Sequence, residues 1–335
     1  MTGDAHWMLL ALDEARRGTG LTSPNPCVGA VLVKDGALLA GGWHRKAGGP
    51  HAEVEALRDK DARGATLYVT LEPCSTHGRT PPCVEAIIAA GVARVVWGAE
   101  DPNPQHAGRA RELLTAAGIA VTSGVLEETC RELIAPFAKL ITTGLPYVIA
   151  KAGMSLDGRI TRPAGEGQWI TGAAARADAM KLRAQCDAII VGAETVRRDD
   201  PALTLRGPDI PAGKEQPWRV VLTRSGNLPA DAQIFTDAHR ERTLVLRDLP
   251  LVDVLKSLAA RGVMHVLIEG GGNVLAQAFS ARLVDEIVCY TAPLISGSGR
   301  PVLDSAAFEG GSVALRIVSA GMVGCDVRLR ARLLP

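Results

Sequence analysis

At 335 residues, the chain has room for about two domains of roughly 150 residues each, and it holds no uninterrupted apolar run of the ~18 residues that a membrane span requires. Its 37 basic and 36 acidic residues balance, 14 against 16 up to residue 145 and 23 against 20 beyond, so neither half has the basic excess that a nucleic-acid partner demands. Seven cysteines, an odd number, and an opening segment broken by Asp4, Asp13, Glu14, Arg16 and Arg17 predict a cytoplasmic protein with free or metal-binding thiols rather than an exported disulfide framework.

In chain order, a helical pattern over Asp4 to Arg17 leads to an apolar strand run at Val28 to Val33. Helix Ala52 to Lys60, strand Thr66 to Thr70, helix Pro82 to Ala90, strand Val92 to Gly98, helix Gly108 to Ala117 and strand Ile119 to Ser123 follow. Several of these helices end at a glycine such as Gly18, Gly91 or Gly118. Strands spaced by single helices predict an α/β unit with a mostly parallel sheet. The turn cluster Thr142 to Pro146 then places a domain boundary near 145, giving domains 1–145 and 146–335. Beyond it, strands are predicted at Tyr147 to Ala152, Ala188 to Val191, Arg219 to Leu222, Thr243 to Leu246, Val263 to Ile268 and Glu286 to Thr291, with a closing one near Gly324 to Leu333. The segment Arg206 to Trp218, with Pro208, Pro211, Gly213 and Pro217, reads as a surface loop.

The first half carries a metal pattern. His51-Ala52-Glu53 follows the turn Gly48-Gly49-Pro50, Pro73-Cys74 follows a strand, and Cys83 stands nine positions later at the mouth of a helix. One imidazole and two thiolates form a zinc set whose fourth position stays open for water, as in catalytic sites. Glu53 is then the proton carrier beside the metal rather than a ligand. The order H-x-E then P-C then C is the zinc-deaminase signature, except that eight residues rather than two separate the cysteines. Residues Ser75 to Pro82 are therefore expected to bulge as a loop.

The stretch Thr70-Leu71-Glu72-Pro73-Cys74-Ser75-Thr76-His77-Gly78-Arg79-Thr80-Pro81-Pro82-Cys83 resembles that of the bifunctional riboflavin-biosynthesis deaminase/reductases. Pro24-Asn25-Pro26, Gly42-Trp43-His44 and Asp101-Pro102-Asn103-Pro104 agree with the same family, while His106 and Ala110 stand where it more often has Val and Gly. The resemblance implies a cytidine-deaminase-like three-layer domain that removes the 2-amino group from a diaminopyrimidinone bearing a ribosylamino 5-phosphate. It also implies that His51, Cys74 and Cys83 hold zinc, that Glu53 shuttles the proton, and that Asn25, His44, His77, Arg79 and Asn103 contact the substrate. Asn25 and Asn103 between prolines also suit ordinary turns, and His44 and Arg79 a solvated loop.

In the second half, strand Val263 to Ile268 runs into Glu269-Gly270-Gly271-Gly272-Asn273 and a helix over Val274 to Phe279. A glycine turn opening a helix can cradle a phosphate, and equally can be a bare turn. A second glycine-rich turn, Ile295 to Gly299, follows the strand ending at Thr291 and suits either such a cradle or only a hairpin or crossover. Lys151 to Gly158, Gln168-Trp169-Ile170-Thr171, Thr195 to Thr204 and Ile268 to Gly271 are similar to the family's reductase half, which implies a dihydrofolate-reductase-like fold and NADPH. By that resemblance Gly153, Trp169, Thr195, Asp199 and Gly271, Gly272, Asn273, Val274, Leu275, Ala276 and Gln277 hold the cofactor. Gly167, Arg183, Leu203, Arg206 and Glu269 face the substrate, although Gly167 and Thr223-Arg224 depart from the commoner family residues. Hydride can attack C1 of the sugar only when the ring is open as an imine or iminium, so a proton donor and a group stabilising the cation are needed, with Lys151 and Glu269 as candidates; a Lys151–Glu269 salt bridge is the plainer alternative. Arg224, at the end of strand Arg219 to Leu222, is a candidate for the 2′-phosphate of NADPH. The expected partners are a small-molecule substrate and further copies of the chain, with neither nucleic acid nor membrane. A nucleic-acid base deaminase and a non-catalytic C-terminal binding module are the rival readings.

Overall fold

The computed structural model describes residues 3–76, 81–104, 106–304, 306–309 and 311–334, and the chain divides into two compact units, Met1–Gly144 and Leu145–Pro335. Among the described residues no helix is long and apolar enough to cross a membrane.

The first unit runs α1 (Asp4–Arg16), β1 (Gly29–Lys34), β2 (Ala37–Trp43), α2 (Ala52–Leu57), β3 (Thr66–Leu71), α3 (Cys83–Ala90), β4 (Arg94–Ala99), α4 (Arg109–Ala116), β5 (Ala120–Thr122), α5 (Glu127–Leu133) and α6 (Ala135–Thr143). Its sheet has the order β2-β1-β3-β4-β5. The expected mostly parallel sheet is corrected: β1 is antiparallel to both β2 and β3, and only β3, β4 and β5 run parallel. The cause is local. Asp35 and Gly36 both adopt positive φ, 51° and 74°, the backbone of a tight two-residue hairpin that returns the chain as β2.

Glycines set the depth of the layers above and below this sheet. A Cβ on Gly29 would lie 2.1 Å from the carbonyl of Ala11 and 2.3 Å from the amide of Ala15, so α1 rests directly on β1. On the opposite face, a Cβ on Gly42 would lie 2.6 Å from the carbonyl of Ala52 on α2, and Gly42 pairs with Ala30, the neighbour of Gly29. Gly98 leaves room for Cys130 of α5, and Arg111 of α4 stacks 5.2 Å over the buried Trp97 ring. Successive strand residues face opposite sides, so α1 and α5 cover one face and α2 and α4 the other.

The second unit comprises β6 (Tyr147–Ser155), α7 (Ala173–Gln185), β7 (Ala188–Gly192), α8 (Ala193–Asp199), β8 (Trp218–Thr223), α9 (Gln233–Thr236), β9 (Thr243–Arg247), α10 (Leu251–Ala259), β10 (His265–Ile268), α11 (Gly272–Ser280), β11 (Glu286–Ala292), β12 (Leu315–Val323) and β13 (Asp326–Leu333). The sheet order is β12-β13-β11-β6-β10-β7-β8-β9. From β11 to β9 every pairing is parallel, and β13 and β12 add an antiparallel edge. Val148, Ala150, Ala188, Ile190, Val220, Val266 and Ile268 pack one face against Val254, Leu255 and Leu258 of α10 and Leu275 of α11. On the other face Tyr290 donates to Asp178 of α7 at 2.7 Å. The carboxyl ends of the parallel strands thus share one edge, where open α/β sheets bind ligands.

The loop between α8 and β8 is a surface loop, but it is tied down. The Gln216 side chain accepts from the amide of Leu205 at 2.7 Å and donates to its carbonyl at 3.1 Å. Arg219, 1% exposed, pairs with Asp237 at 2.6 and 2.9 Å and donates to the carbonyl of Ala202 at 3.0 Å. This buried guanidinium is paired with a carboxylate through its terminal nitrogens, its Nε alone lacking a partner among the described residues, and it anchors the backbone next to Leu203.

Candidate functional site

His51 caps the start of α2, Cys83 is the first residue of α3, and Cys74 lies in the loop leaving β3. Their ligand atoms all lie within 4.8 Å of one another. His51 Nδ1 is 3.1 Å from Cys83 Sγ and 3.4 Å from Cys74 Sγ, so Nδ1 is the nitrogen turned to the sulfurs. A tetrahedral zinc needs such donors about 3.5 to 3.8 Å apart. The donor set and its spacing fit that ion. The Cys83 amide also donates to Cys74 Sγ at 3.2 Å. Hydrogen bonding from the Cys83 thiol, with help from His51, draws Cys74 down to about 4 against its burial, while Cys83 is pushed up and keeps the proton.

Glu53 sits one residue into α2 and is 3% exposed. Burial pushes its carboxyl up, and the neighbouring His51 opposes this. A carboxyl so placed can hold and return a proton next to the metal trio.

Two further predicted residues come to the same place. The Asn25 side-chain amide lies 3.0 Å from His44 Nε2, and His44 Nδ1 lies 2.9 Å from the carbonyl of Pro50. An amide NH₂ donates and a carbonyl accepts, so His44 carries its hydrogen on Nδ1. Burial lowers its pKa and favours that neutral ring, which stands 5.3 Å from the His51 ring. Asn103 donates its amide to Asp101 Oδ1 at 2.8 Å. The segment carrying it meets the Cys74 loop where Thr76 Oγ1 lies 3.1 Å from His106 Nδ1. His77 and Arg79 lie outside the described residues. Sequence reasoning quoted Glu72 without assigning it a role; its carboxylate is 2% exposed and binds the 101–110 segment.

In the second unit one cleft is lined by Lys151, Gly153, Trp169, Thr195, Asp199, Arg224, Gly271, Gly272, Asn273, Val274, Leu275 and Gln277, together with Arg183, Leu203, Arg206 and Glu269. Two predicted residues are placed otherwise. Ala276 is fully buried on the core side of α11, and Gly167, exposed at φ 99°, does not line the cleft. Arg176, Arg197, Arg198 and Arg300 line it as well. Arg197 and Arg198 stand inside the quoted Thr195 to Thr204 stretch, and Arg300 follows the glycine turn at 295–299. That turn lies in the connection from β11 to β12, which crosses over β13. The Ser296 and Gly297 amides donate to Asp157 at 2.9 and 2.8 Å, and the Arg300 amide donates to Thr161 Oγ1 at 2.8 Å.

A Cβ on Gly271, at the start of α11, would meet nothing nearer than Thr195 Oγ1 at 3.9 Å. This open helix start and the arginines line the same cleft, so the cleft fits the phosphates of a nucleotide cofactor. Trp169, 57% exposed, offers its ring under the Arg176 guanidinium at 4.9 Å.

Glu269 follows β10 and is gripped by Arg183 of α7 at 2.6 and 2.9 Å. Burial pushes its carboxyl up, but the Arg183 charge and hydrogen bonds, aided by Lys151 and Arg206, outweigh this and hold it at about 2. The partner of Glu269 is thus Arg183, not Lys151 as the salt-bridge alternative had it. Leu203 adopts φ 51° with its side chain 2% exposed, an uncommon backbone for a bulky residue. Arg224 is exposed and makes no hydrogen bond or ion pair among the described residues.

Residues 1–99 match the cytidine and deoxycytidylate deaminase zinc-binding region, and residues 146–329 match the RibD C-terminal domain. The riboflavin biosynthesis protein RibD of Escherichia coli (strain K12) is 42% identical over 326 residues, 88% of this chain and 89% of that protein. Its counterpart from Aquifex aeolicus (strain VF5) is 41% identical over 323 residues, 90% of each chain. Among solved structures, RibD of Acinetobacter baumannii superposes with a TM-score of 0.90 at 39% identity, covering 99% of both chains. A diaminohydroxyphosphoribosylaminopyrimidine deaminase/5-amino-6-(5-phosphoribosylamino)uracil reductase from Thermotoga maritima does so with 0.90 at 34% identity and the same coverage.

Proposed function

Because the chain belongs to the RibD family of riboflavin biosynthesis proteins, we propose that it hydrolyses the 2-amino group from 2,5-diamino-6-(5-phosphoribosylamino)pyrimidin-4(3H)-one and then reduces the ribosyl group of the product to ribityl. It is a bifunctional enzyme, a zinc-dependent deaminase and an NADPH-dependent reductase with an α/β fold in both halves. The match of residues 146–329 to the RibD C-terminal domain favours this over a nucleic-acid base deaminase and over a non-catalytic second half. The observation that carries the deaminase reading is the His51, Cys74 and Cys83 trio beside the buried Glu53. We assign residues 1–145 to deamination and 146–335 to reduction.

In the first half, His51, Cys74 and Cys83 would hold zinc, which when bound supplies the Lewis acidity that makes water a nucleophile near neutral pH. Glu53 takes up the proton released on attack and returns it to the leaving amine. Asn25 and the neutral His44, joined by a hydrogen bond, would contact the pyrimidine or the ribose phosphate, as would Asn103, His77 and Arg79. In the second half, Gly153, Trp169, Thr195, Asp199 and the α11 start would hold NADPH, the source of hydride. Lys151 holds the proton that the opened sugar nitrogen receives, and the ionised Glu269 faces the cation. Arg183, Arg206 and the backbone at Leu203 bind the substrate. Purified protein given the diaminopyrimidinone phosphate should release ammonia alone without NADPH, and should yield the ribitylamino product with it. Mass spectrometry reads both, and ammonia release that survives zinc chelation would sink the metal assignment.

Arg224, which lines the cleft and has no partner among the described residues, would read the 2′-phosphate of NADPH. A charge-assisted bond is worth about 1.5 to 3 kcal/mol, so Arg224→Ala should raise the Michaelis constant for NADPH by about ten-fold or more and leave the weak use of NADH unchanged. Equal losses with both cofactors would give the phosphate to another residue.

Homo-oligomerisation is supported by an apolar row on the edge strand β12, where Leu315, Ile317 and Met322 are 41%, 65% and 66% exposed and share one face across the bulge after Ile317. Exposed apolar rows of this kind mark contact surfaces. The balanced charge supports a small-molecule substrate rather than nucleic acid, and a cytoplasmic setting suits the free thiols.

A further inference from the structure

Glu72 lies two residues before Cys74, and its own amide donates to the carbonyl of Ala99 at 2.8 Å, extending the β3–β4 ladder by one rung. Its side chain turns inward and is 2% exposed. Oε2 accepts from the amide of Asp101 at 3.3 Å and from the amide of Gly108 at 3.1 Å, while Oε1 accepts from the amide of Ala110 at 3.2 Å. One oxygen therefore pinches together the two ends of the segment from 101 to 108, and the other oxygen fastens the first turn of α4. Inside the pinch, Asp101 Oδ1 takes the amide of Asn103, and the Asn103 carbonyl takes the amides of His106 and Ala107 at 2.9 and 3.1 Å. Backbone amides are donors only, so the direction of every one of these bonds is fixed.

We propose that Glu72 is a positioning residue for deamination, one that holds Asn103 in register with the Cys74 end of the metal trio. The proposal rests on the reading of His51, Cys74, Cys83 and Asn103 as the deamination site. A carboxylate suits the task because both of its oxygens only accept, and three amide donors converge on them. Glutamine has nearly the same shape but offers one acceptor oxygen, and its NH₂ would face amide donors. The segment would then shift, and shifts of about 1 Å in a substrate-holding group cost on the order of 10²-fold in rate.

The test is a double-mutant cycle in the full-length, zinc-loaded protein with Glu72→Gln, Asn103→Ala and the pair. Glu72→Gln should lower kcat/KM for ammonia release by about 10- to 100-fold, keep the wild-type zinc content measured by atomic absorption, and leave NADPH oxidation on the deaminated substrate unchanged. The double variant should be no worse than Asn103→Ala by more than about three-fold, because Glu72 acts through Asn103. Fully additive losses would overturn the proposal and leave Glu72 a general stabiliser. Loss of zinc from Glu72→Gln would overturn it as well, by placing the effect on the metal trio rather than on Asn103. Wild-type ammonia release from Asn103→Ala alone would remove Asn103 from the site, which is failure of the underlying reading and separable from the behaviour of Glu72.

Discussion

Replacing Glu53 by glutamine should leave zinc in place and slow ammonia release by roughly 10²- to 10⁴-fold, the span of a lost general acid/base. Among the described residues the metal-donor cluster consists of His51, Cys74 and Cys83, so an amide at position 53 would leave those donors intact. What glutamine cannot do is accept a proton. With Glu53 3% exposed, bulk water has poor access to replace it. Cys74→Ser and Cys83→Ser provide the contrast, with zinc and deamination lost together. Zinc content and ammonia release measured on the three variants separate the roles, and wild-type turnover by Glu53→Gln would remove Glu53 from the proton path.

Lys151→Ala should stop NADPH oxidation, by a factor of at least about 10², and leave deamination within a few-fold of wild type. The geometry divides the labour between the two candidate residues. Glu269, doubly bonded to Arg183 and held at about 2, has no proton to give near neutral pH. Lys151 lies on β6, lines the same cleft and helps to hold Glu269 ionised. That makes Lys151 the proposed donor of the proton to the sugar nitrogen. Glu269→Gln should also slow reduction, but by removing the charge that faces the cation. Should Lys151→Ala abolish both activities in a chain that still binds zinc, the assignment of separate reactions to the two units would fall.

Much of this was legible before any coordinates, and the failures have local causes. Each strand named in the first half appears within about two residues, because short apolar runs bounded by turns admit few other readings. Strand β2 was overlooked although Asp35-Gly36 is a strong hairpin signal; the run Ala37-Leu38-Leu39-Ala40-Gly41-Gly42-Trp43 does not alternate apolar and polar residues. Strand β12 is a largely exposed edge and shows no buried face to detect. The metal trio could be read because the ligands sit next to recognisable turns and helix starts. The Arg183–Glu269 pair spans 86 residues, and the Glu72 contacts span 29 to 38. No local pattern encodes where such partners meet. Arg300 was out of reach for a similar reason, because it comes to the cleft through the tie between the 295–299 turn and Asp157.

The contact between α1 and β1 has a consequence for anyone who randomises this chain. A Cβ on Gly29 would run into the backbone of Ala11 and Ala15, a clash that no side-chain change in α1 relieves, and Ala11 and Ala15 are themselves fully buried, so packing constrains all three positions. A library that diversifies α1 while holding Gly29 fixed will discard most of its members at positions 11 and 15 through folding failure, whatever their chemistry. Such losses would look like functional intolerance in a selection for deamination, because Asn25 lies only four residues before Gly29. Scoring the same library for reductase output or soluble yield would separate the two kinds of loss, and would keep a packing constraint from being mistaken for a catalytic one.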